Sequence, residues 1–273
     1  MKIIVESGAT KSQWRFSDGR DFTLPGMNVS AMDFSSVSAI LERGLQAAGG
    51  PVEGFYLYTA GVMEESLRRR TEETVRSFTP SCEVEIHSDT VGAARALFGK
   101  SQGVVAILGT GSNACYYDGA SIEQSVRSGG YILGDEGSAA ALGKMFLSDI
   151  IKERVPAELA EAFGRESDSS YEAIVSNLYH GKSPSAYLGS IAPFITARYS
   201  SSAYARELVD CNFKAFFERV LSRYPVDFHP VGVVGGFGYA CRDILSELAK
   251  ASGIRITKIL PECISGLAAY HFD

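Results

Sequence analysis

Three glycine-rich runs stand directly after stretches that read as buried strands: Ser7-Gly8-Ala9-Thr10-Lys11-Ser12, Gly109-Thr110-Gly111-Ser112-Asn113 and Gly235-Gly236-Phe237-Gly238. Backbone N–H groups in such turns form anion-binding nests, and threonine, serine and lysine side chains add donors. One such run would be an ordinary tight turn. Three at matched positions point to a polyphosphate. Lys11 either reaches a phosphate or completes its turn. Asp89 follows a strand and precedes a helix. A carboxylate there can take the proton of an attacking hydroxyl, or it can cap the helix. Asp135 and Glu136 read as the start of another helix, where acids complement the dipole.

Standard nucleotide fingerprints do not account for these runs. Gly109–Ala114 spells GxGxxA after a strand, but strand-like residues follow, not the helix whose N-terminus would take a pyrophosphate. Gly236-Phe237-Gly238 precedes a helix, yet no acid ends the next strand, Arg255–Ile259, to hold a ribose. Gly137–Lys144 approaches a P-loop, with one spacer residue too many and Met145 where a magnesium-binding serine or threonine belongs.

The elements that must position these runs occur in two series. Short strands at Lys2–Val5, Gln13–Phe16 and Asp21–Leu24 form a meander, followed by a helix over Ser35–Ala48. A strand at Gly54–Thr59, a helix over Met63–Phe78, a strand at Glu83–His87 and a short helix over Thr90–Phe98 complete the first series. The arginine triplet Arg68-Arg69-Arg70 reads as a solvated helix face. His87 alternates with Val84 and Ile86 and reads as structural. The pattern restarts at Gly103: strands at Val104–Leu108, Ala114–Asp118 and Ile122–Val126, then a long helical tract from about Glu136 to Phe217. Its longest helix spans Tyr204–Tyr224; the strand Val231–Val234, the helix Arg242–Ala251, the strand Arg255–Ile259 and a last helix over Cys263–Tyr270 follow. An internal duplication of this kind implies two α/β lobes, residues 1–102 and 103–262, with a cleft between them and a helical insertion in the second. Ligand sites in such folds gather where strand C-termini and glycine turns face the cleft.

Composition narrows the function. The chain has 273 residues and a net charge of −6, without the basic surplus of a non-specific nucleic-acid binder. No apolar run is long enough for a membrane helix or a signal-peptide core. The five cysteines (Cys82, Cys115, Cys211, Cys241 and Cys263) are odd in number and never at CxxC spacing. They read as buried, reduced thiols of a cytoplasmic protein, not as a disulfide framework, a zinc site or an iron–sulfur site.

Six motifs occur in an order that matches a known family: ESGATKSQW (Glu6–Trp14), HSDTVGAARALFG (His87–Gly99), ILGTGSNACYYDG (Ile107–Gly119), GGYILGDEGSAAALGK (Gly129–Lys144), GVVGGFGYACRDIL (Gly232–Leu245) and KILPECISGLAAYH (Lys258–His271). On these the chain resembles the actin-like (sugar kinase, Hsp70, actin) ATPase superfamily. Within it, the chain looks like the BadF/BadG ATPase-type family, closest to the N-acetylglucosamine-kinase-like branch of Bacteroidetes. The resemblance implies an α/β fold of two actin-like (ribonuclease H-like) lobes, with the final helix (263–273) crossing back to the first. It implies ATP and Mg2+ as cofactors and a small-molecule amino sugar, N-acetylglucosamine first, as substrate. Nucleic acid and membrane are not expected partners; a homodimer is compatible with the family.

By the same resemblance, Gly8, Thr10, Lys11 and Ser12 form the first phosphate hairpin and Gly109, Thr110, Gly111 and Ser112 the second. Gly235 and Gly236 fall in the adenosine motif. Asp89 falls where such kinases hold the catalytic base. Asn28, Asn113, Gly130 and Asp135 fall near positions that hold the sugar's hydroxyls and acetamido group. Glu6 stands where the family usually has an aspartate that helps hold the metal of Mg-ATP, and its arm is one methylene longer. Two other readings follow from the wider superfamily. A non-catalytic sugar or nucleotide sensor would explain Glu6. A BadF-type activator ATPase would need an iron–sulfur cluster, for which no cysteine pair is suitably placed.

Overall fold

The computed structural model describes residues 1–8, 11–30, 32–60, 62 and 64–272. The chain divides into two compact units: Met1–Ser101 with Gly119–Ser121 and Glu262–Asp273, and Gln102–Asp118 with Ile122–Pro261. Each contains one five-stranded sheet.

In the first unit, β1 (Lys2–Ser7), β2 (Lys11–Phe16) and β3 (Asp21–Pro25) form an antiparallel meander. The chain then runs through α1 (Phe34–Gln46), β4 (Gly54–Thr59), α2 (Glu65–Phe78), β5 (Glu83–Ser88) and α3 (Asp89–Phe98), giving the sheet order β3-β2-β1-β4-β5. Alternation drives Ser12, Trp14 and Phe16 of β2 inward. Helix α1 buries Val37, Leu41 and Leu45, spaced one helical turn apart. Gly44 beside them is dictated by sterics, because a Cβ there would stand 2.2 Å from the Trp14 ring. β4 is buried at every position, as a central strand bonded on one side to β1 and on the other to β5 must be. On α2, Arg68, Arg69 and Arg76 pair with Glu65 and Glu72 on the exposed face, while Arg70 lies over the Phe34 ring at 3.9 Å.

The chain's last helix, Ile264–Phe272 (α12 in chain order), belongs to this unit. It packs closely on α3: a Cβ on Gly266 would lie 2.4 Å from the Ala96 carbonyl oxygen. Its far end is held by His271, whose ring stacks on Tyr56 at 3.7 Å and whose Nε2 meets the Tyr58 hydroxyl at 2.6 Å. Burial pushes the His271 pKa down to about 4.

The second unit repeats the plan. β6 (Gly103–Leu108), β7 (Ser112–Tyr117) and β8 (Ile122–Ser125) form a meander, and β9 (Val231–Val234) and β10 (Ile256–Leu260) add in parallel, in the order β10-β9-β6-β7-β8. Between β8 and β9 lie α4 (Gly130–Leu133), α5 (Ala139–Ile151), α6 (Ala157–Glu166), α7 (Tyr171–Tyr179), α8 (Pro184–Thr196) and α9 (Ala203–Arg219); α10 (Gly236–Ala240) and α11 (Arg242–Ala251) separate β9 from β10. Phe146, Phe163 and Phe194 fill the centre of this helical insertion with ring centroids 5.0–5.6 Å apart.

Several expected boundaries move for identifiable reasons. The helix expected from Glu136 begins at Ala139, because Asp135 and Gly137 take positive φ angles of 60° and 78° and Ser138 caps the helix instead. The helix expected to reach Tyr224 stops at Arg219, and Leu221–Arg223 is a single 3-10 turn. Helix α4 has too few residues to show a period. Cys211, expected to be buried, is exposed on α9, whereas Cys82, Cys115, Cys241 and Cys263 are buried.

Candidate functional site

Strand register assembles the first group of residues. In unit one, Ser7 pairs with Thr59 and Thr59 with Ser88, so three parallel strands end level. Gly8, Ala60 and Asp89 follow at that edge. Gly8 donates its N–H to the Lys11 carbonyl at 3.0 Å, closing the β1–β2 turn, and Lys11 is exposed. Thr10, expected to bind phosphate, lies outside the described residues. The Ser12 hydroxyl is buried; it donates to the Pro25 carbonyl at 2.9 Å and accepts from Trp14 Nε1 at 3.0 Å. It therefore serves the sheet interior.

Two buried hydroxyls not singled out in the sequence position the next segment. Ser7 Oγ accepts the Met27 N–H at 2.7 Å and Thr59 Oγ1 donates to the Met27 carbonyl at 2.5 Å. Asn28 is thereby fixed beside the strand ends. Its Oδ1 accepts from Ser30 N and Oγ at 3.2 and 2.9 Å. Asp89 is exposed as the first residue of α3, and the cap of that helix is Ser88, whose hydroxyl accepts the Val91 N–H at 3.3 Å. Capping therefore does not account for Asp89. One of its oxygens, Oδ1, accepts the Thr90 N–H at 2.9 Å.

Glu6 is bound to the last helix. Its Oε2 accepts the Cys263 N–H at 3.0 Å, at the point where α12 begins. Burial raises its pKa, and the Cys263 and Ile264 hydrogen bonds oppose that rise. The Cys263 thiol is buried there and hydrogen-bonds Glu6; burial, then Glu6, Asp89 and Glu262, push its pKa far up. A carboxylate in this position acts as an N-cap supplied from a strand. Mg2+ would need a bare, ionised oxygen at short range. Glu6 is half-buried and its Oε2 is taken by the Cys263 N–H, so that oxygen is not bare for a direct magnesium contact. No group of three or more His, Cys, Asp and Glu residues suited to a metal gathers among the described residues.

Unit two gathers the second group. Ile107 pairs with Val234 and Val234 with Leu260, so β6, β9 and β10 also end together. The β6–β7 hairpin is closed by Gly109 N–H to the Gly111 carbonyl at 3.0 Å. The carbonyls of Gly109 and Thr110 accept the Ala139 and Ala140 N–H groups, both at 3.0 Å. The hairpin thus caps α5, together with Ser138 Oγ, which accepts from Ala141 at 3.0 Å. That leaves the Thr110 and Gly111 amides with no acceptor among the described residues, available to an anion.

Asp135 is buried beside this hairpin, and its Oδ1 accepts the Ser112 N–H at 3.2 Å. Gly111 makes room for it: a Cβ there would come 2.9 Å from Asp135 Oδ2. Burial raises the Asp135 pKa, with the Ser112 N–H and then Lys144 opposing. Its left-handed backbone is uncommon for a non-glycine residue and marks a segment held by its surroundings. The holder is Asn212 of α9, which accepts the Gly137 N–H and donates to the Ser138 carbonyl, each at 3.1 Å. A lone asparagine in a helix carried no sequence signal for this task.

A cavity of about 250 Å³ opens here, lined by Ser112, Asn113, Asp135 and Glu136 with Arg127 and Ser128 among others. Asn113 and Asp135 are thus brought together, while Gly130 does not line this cavity. At the ends of β6 and β9, Gly235 has φ 128°, and a Cβ on it would stand 2.4 Å from the Leu108 carbonyl oxygen. A Cβ on Gly236 would meet nothing. Gly235 is therefore glycine for the fold, and Gly236 leaves bare backbone open to a ligand. The free hairpin amides suit an anion, and the open backbone at Gly236 admits close approach of a ligand.

Comparison with solved structures places this geometry. The chain is 33% identical to a Porphyromonas gingivalis protein described as a putative N-acetylglucosamine kinase, with a TM-score of 0.91 over 100% of this chain and 99% of that one. A Chromobacterium violaceum protein with the same description matches at 21% identity and a TM-score of 0.73 over 99% of both chains. A ROK family glucokinase from Streptomyces griseus, solved with glucose and AMPPNP, matches at 14% identity and a TM-score of 0.56, over 98% of this chain and 96% of that one. The last two show the fold alone. No family model and no curated protein matches the chain. With a third of its residues shared along both chains, this protein belongs to the same family as the P. gingivalis protein and has the fold of the actin-like sugar kinases.

Proposed function

We propose that this protein is an ATP-dependent kinase of an amino sugar, N-acetylglucosamine or a close derivative, of the BadF/BadG type. The observation that carries the reading is the identity, along essentially the full length of both chains, with a protein described as a putative N-acetylglucosamine kinase. Asp89 is the base. With Oδ1 taken by the Thr90 N–H, its second oxygen accepts the proton of the sugar hydroxyl. That hydroxyl oxygen bonds to the γ-phosphorus as the bond to the β-phosphate bridge breaks and ADP leaves. The Thr110 and Gly111 amides hold phosphate. Asn113 and Asp135 hold sugar hydroxyls in their cavity.

One observation favours the sensor reading. Glu6 is committed to α12 where the family usually carries a metal-supporting aspartate. That reading gives sugar or ATP binding without turnover. The deciding measurement is ADP release with Mg-ATP, with and without N-acetylglucosamine, N-acetylmuramic acid, N-acetylmannosamine, glucosamine and glucose. Sugar-dependent release with a phosphorylated product supports the kinase. ATP binding with no release for any sugar refutes it in favour of the sensor. In a turning-over protein, Asp89→Asn should lower transfer by ~100–10,000-fold with ATP binding nearly intact; full activity removes Asp89 as the base.

A further inference from the structure

The buried face of α9 carries a polar side chain in an apolar stripe. Ala205, Leu208, Val209, Phe213 and Phe216 line that face, and Asn212 stands among them only 1% exposed. A buried amide is costly unless both of its ends are met. Both ends of Asn212 are spent on one turn outside the helix: Oδ1 accepts the Gly137 N–H and Nδ2 donates to the Ser138 carbonyl. One helical turn on, Phe216 packs against the same turn, where a Cβ on Gly137 would stand 2.6 Å from the Phe216 Cβ. Helix α9 therefore grips residues 137 and 138 by two hydrogen bonds and by shape.

The start of α5 does not depend on this grip. Ser138 Oγ and the Gly109 and Thr110 carbonyls already take the Ala141, Ala139 and Ala140 amides. What the grip fixes lies on the other side of the turn. Asp135 and Gly137 both have left-handed backbones, and a non-glycine residue keeps that conformation only where its surroundings impose it. Ser112 constrains the segment from β7: its hydroxyl donates to the Glu136 carbonyl at 2.7 Å and its N–H to Asp135 Oδ1 at 3.2 Å. Asn212 constrains it from α9. Between these two holds Asp135 reaches the wall of the cavity, which Asn212 itself does not line.

Resting on the assignment of this cavity as the sugar pocket, we propose that Asn212 is a positioning residue for sugar binding. Through the Gly137 and Ser138 backbone it holds Asp135 at the angle at which its carboxylate meets a sugar hydroxyl.

Three variants of the full chain test this. Asn212→Leu removes both hydrogen bonds. Asn212→Asp keeps an acceptor for the Gly137 N–H and loses the donor to Ser138. Leu208→Ala removes core packing one turn earlier on the same face. Amide hydrogen exchange without ligand reads the hold on Asp135 through the Ser112 N–H, with the Gly109 N–H, bonded within the hairpin, as reference. Calorimetry reads ATP and the same sugar panel separately. In Asn212→Leu, Ser112 exchange should rise on the order of tenfold relative to Gly109, and sugar affinity should fall by a similar factor while ATP affinity holds. Asn212→Asp should move both in the same direction by less, and it decides the matter if Asn212→Leu does not fold. Leu208→Ala should lower the unfolding midpoint and leave the exchange ratio and the sugar affinity as in wild type. A wild-type exchange ratio in the Asn212 variants overturns the proposal, and so does a loss of sugar affinity no greater than that of Leu208→Ala. If the exchange ratio shifts while no sugar binds the wild type, the sugar-pocket reading fails and Asn212 stands as the holder of Asp135.

Discussion

The two β-hairpins that follow β1 and β6 have the same topology and nearly the same residue types, yet they use them differently. In the first, the serine after the turn faces inward: Ser12 holds Trp14 and the Pro25 carbonyl. In the second, the equivalent serine keeps its hydroxyl on the Glu136 carbonyl at 2.7 Å and gives its N–H to Asp135. The acid near each turn differs too. Glu6 reaches out to cap α12, whereas Asp135 is folded in beside a cavity. Two hairpins of the same topology thus spend their described polar groups on different partners. The first hairpin is tied into its sheet and the last helix. The second caps α5 with its carbonyls and keeps two amides available.

The largest break in this comparison should come from the two adjacent glycines at the end of β9. Gly235→Ala forces a Cβ to 2.4 Å from the Leu108 carbonyl at a φ of 128° and should cost roughly 2–4 kcal/mol. Gly236→Ala meets nothing in the protein and should leave the melting temperature close to wild type while weakening ATP binding. Denaturant unfolding and nucleotide titration of both variants check the pair; equal stability losses would mean that Gly236 serves the fold as well.

A smaller effect separates the two serines. Ser12→Ala leaves the buried Trp14 Nε1 without its acceptor and should destabilise by about 1–3 kcal/mol. Thr110 and Gly111, at the other hairpin, should instead respond in ATP affinity when the turn is lengthened by one glycine. Chemical denaturation of the first and calorimetry of the second read these out.

Glu6 gives a sharper distinction at about 1 kcal/mol. Glu6→Ala removes the acceptor for the Cys263 N–H and should cost ~0.5–2 kcal/mol, the usual range for a lost cap. Glu6→Gln keeps an acceptor and should recover most of that loss. A Glu6→Gln variant of wild-type stability that needs many-fold more Mg2+ for ADP release would instead make Glu6 a metal ligand.

The most gradual effect is with pH, at the other end of α12. Burial holds folded His271 at about 4, below its ordinary 6.5. The unfolded chain therefore takes up the proton first. The contribution of neutral His271 is complete above about pH 6.5 and is lost as pH falls toward 4. Burial also lowers the His87 pKa, so it acts in the same direction. Melting temperatures between pH 7 and 4 should fall less steeply in His271→Gln than in wild type. An identical slope would show that other groups control acid unfolding.

Much of the fold was legible because its signals are local. Alternation in Ser12-Gln13-Trp14-Arg15-Phe16 marks a half-buried strand, and the glycine runs mark the turns. Both meanders, the parallel strands after them and the long helical tract follow from such patterns. The start of α5 was misplaced because a left-handed aspartate is set by Gly111, Ser112 and Asn212, which lie far apart in sequence. The roles of Ser7, Thr59 and Asn212 had no signal at all. Each is a single polar residue whose partner is chosen by packing.

The sequence by itself determined which residues could do chemistry: glycine turns after strands, an aspartate at a strand end, and an acid where the family carries a metal-supporting aspartate. Residue type sets backbone freedom and charge, and both are properties of the chain alone. Tertiary structure decided which of these groups remain available. It turned the Ser12 hydroxyl inward, gave the α3 cap to Ser88 and so released Asp89, and bound Glu6 to the start of α12. It also set Asp135 and Arg127 around one cavity. A polar group is free for a ligand only when no other part of the fold has satisfied it, and that depends on hydrogen bonds between residues distant in sequence.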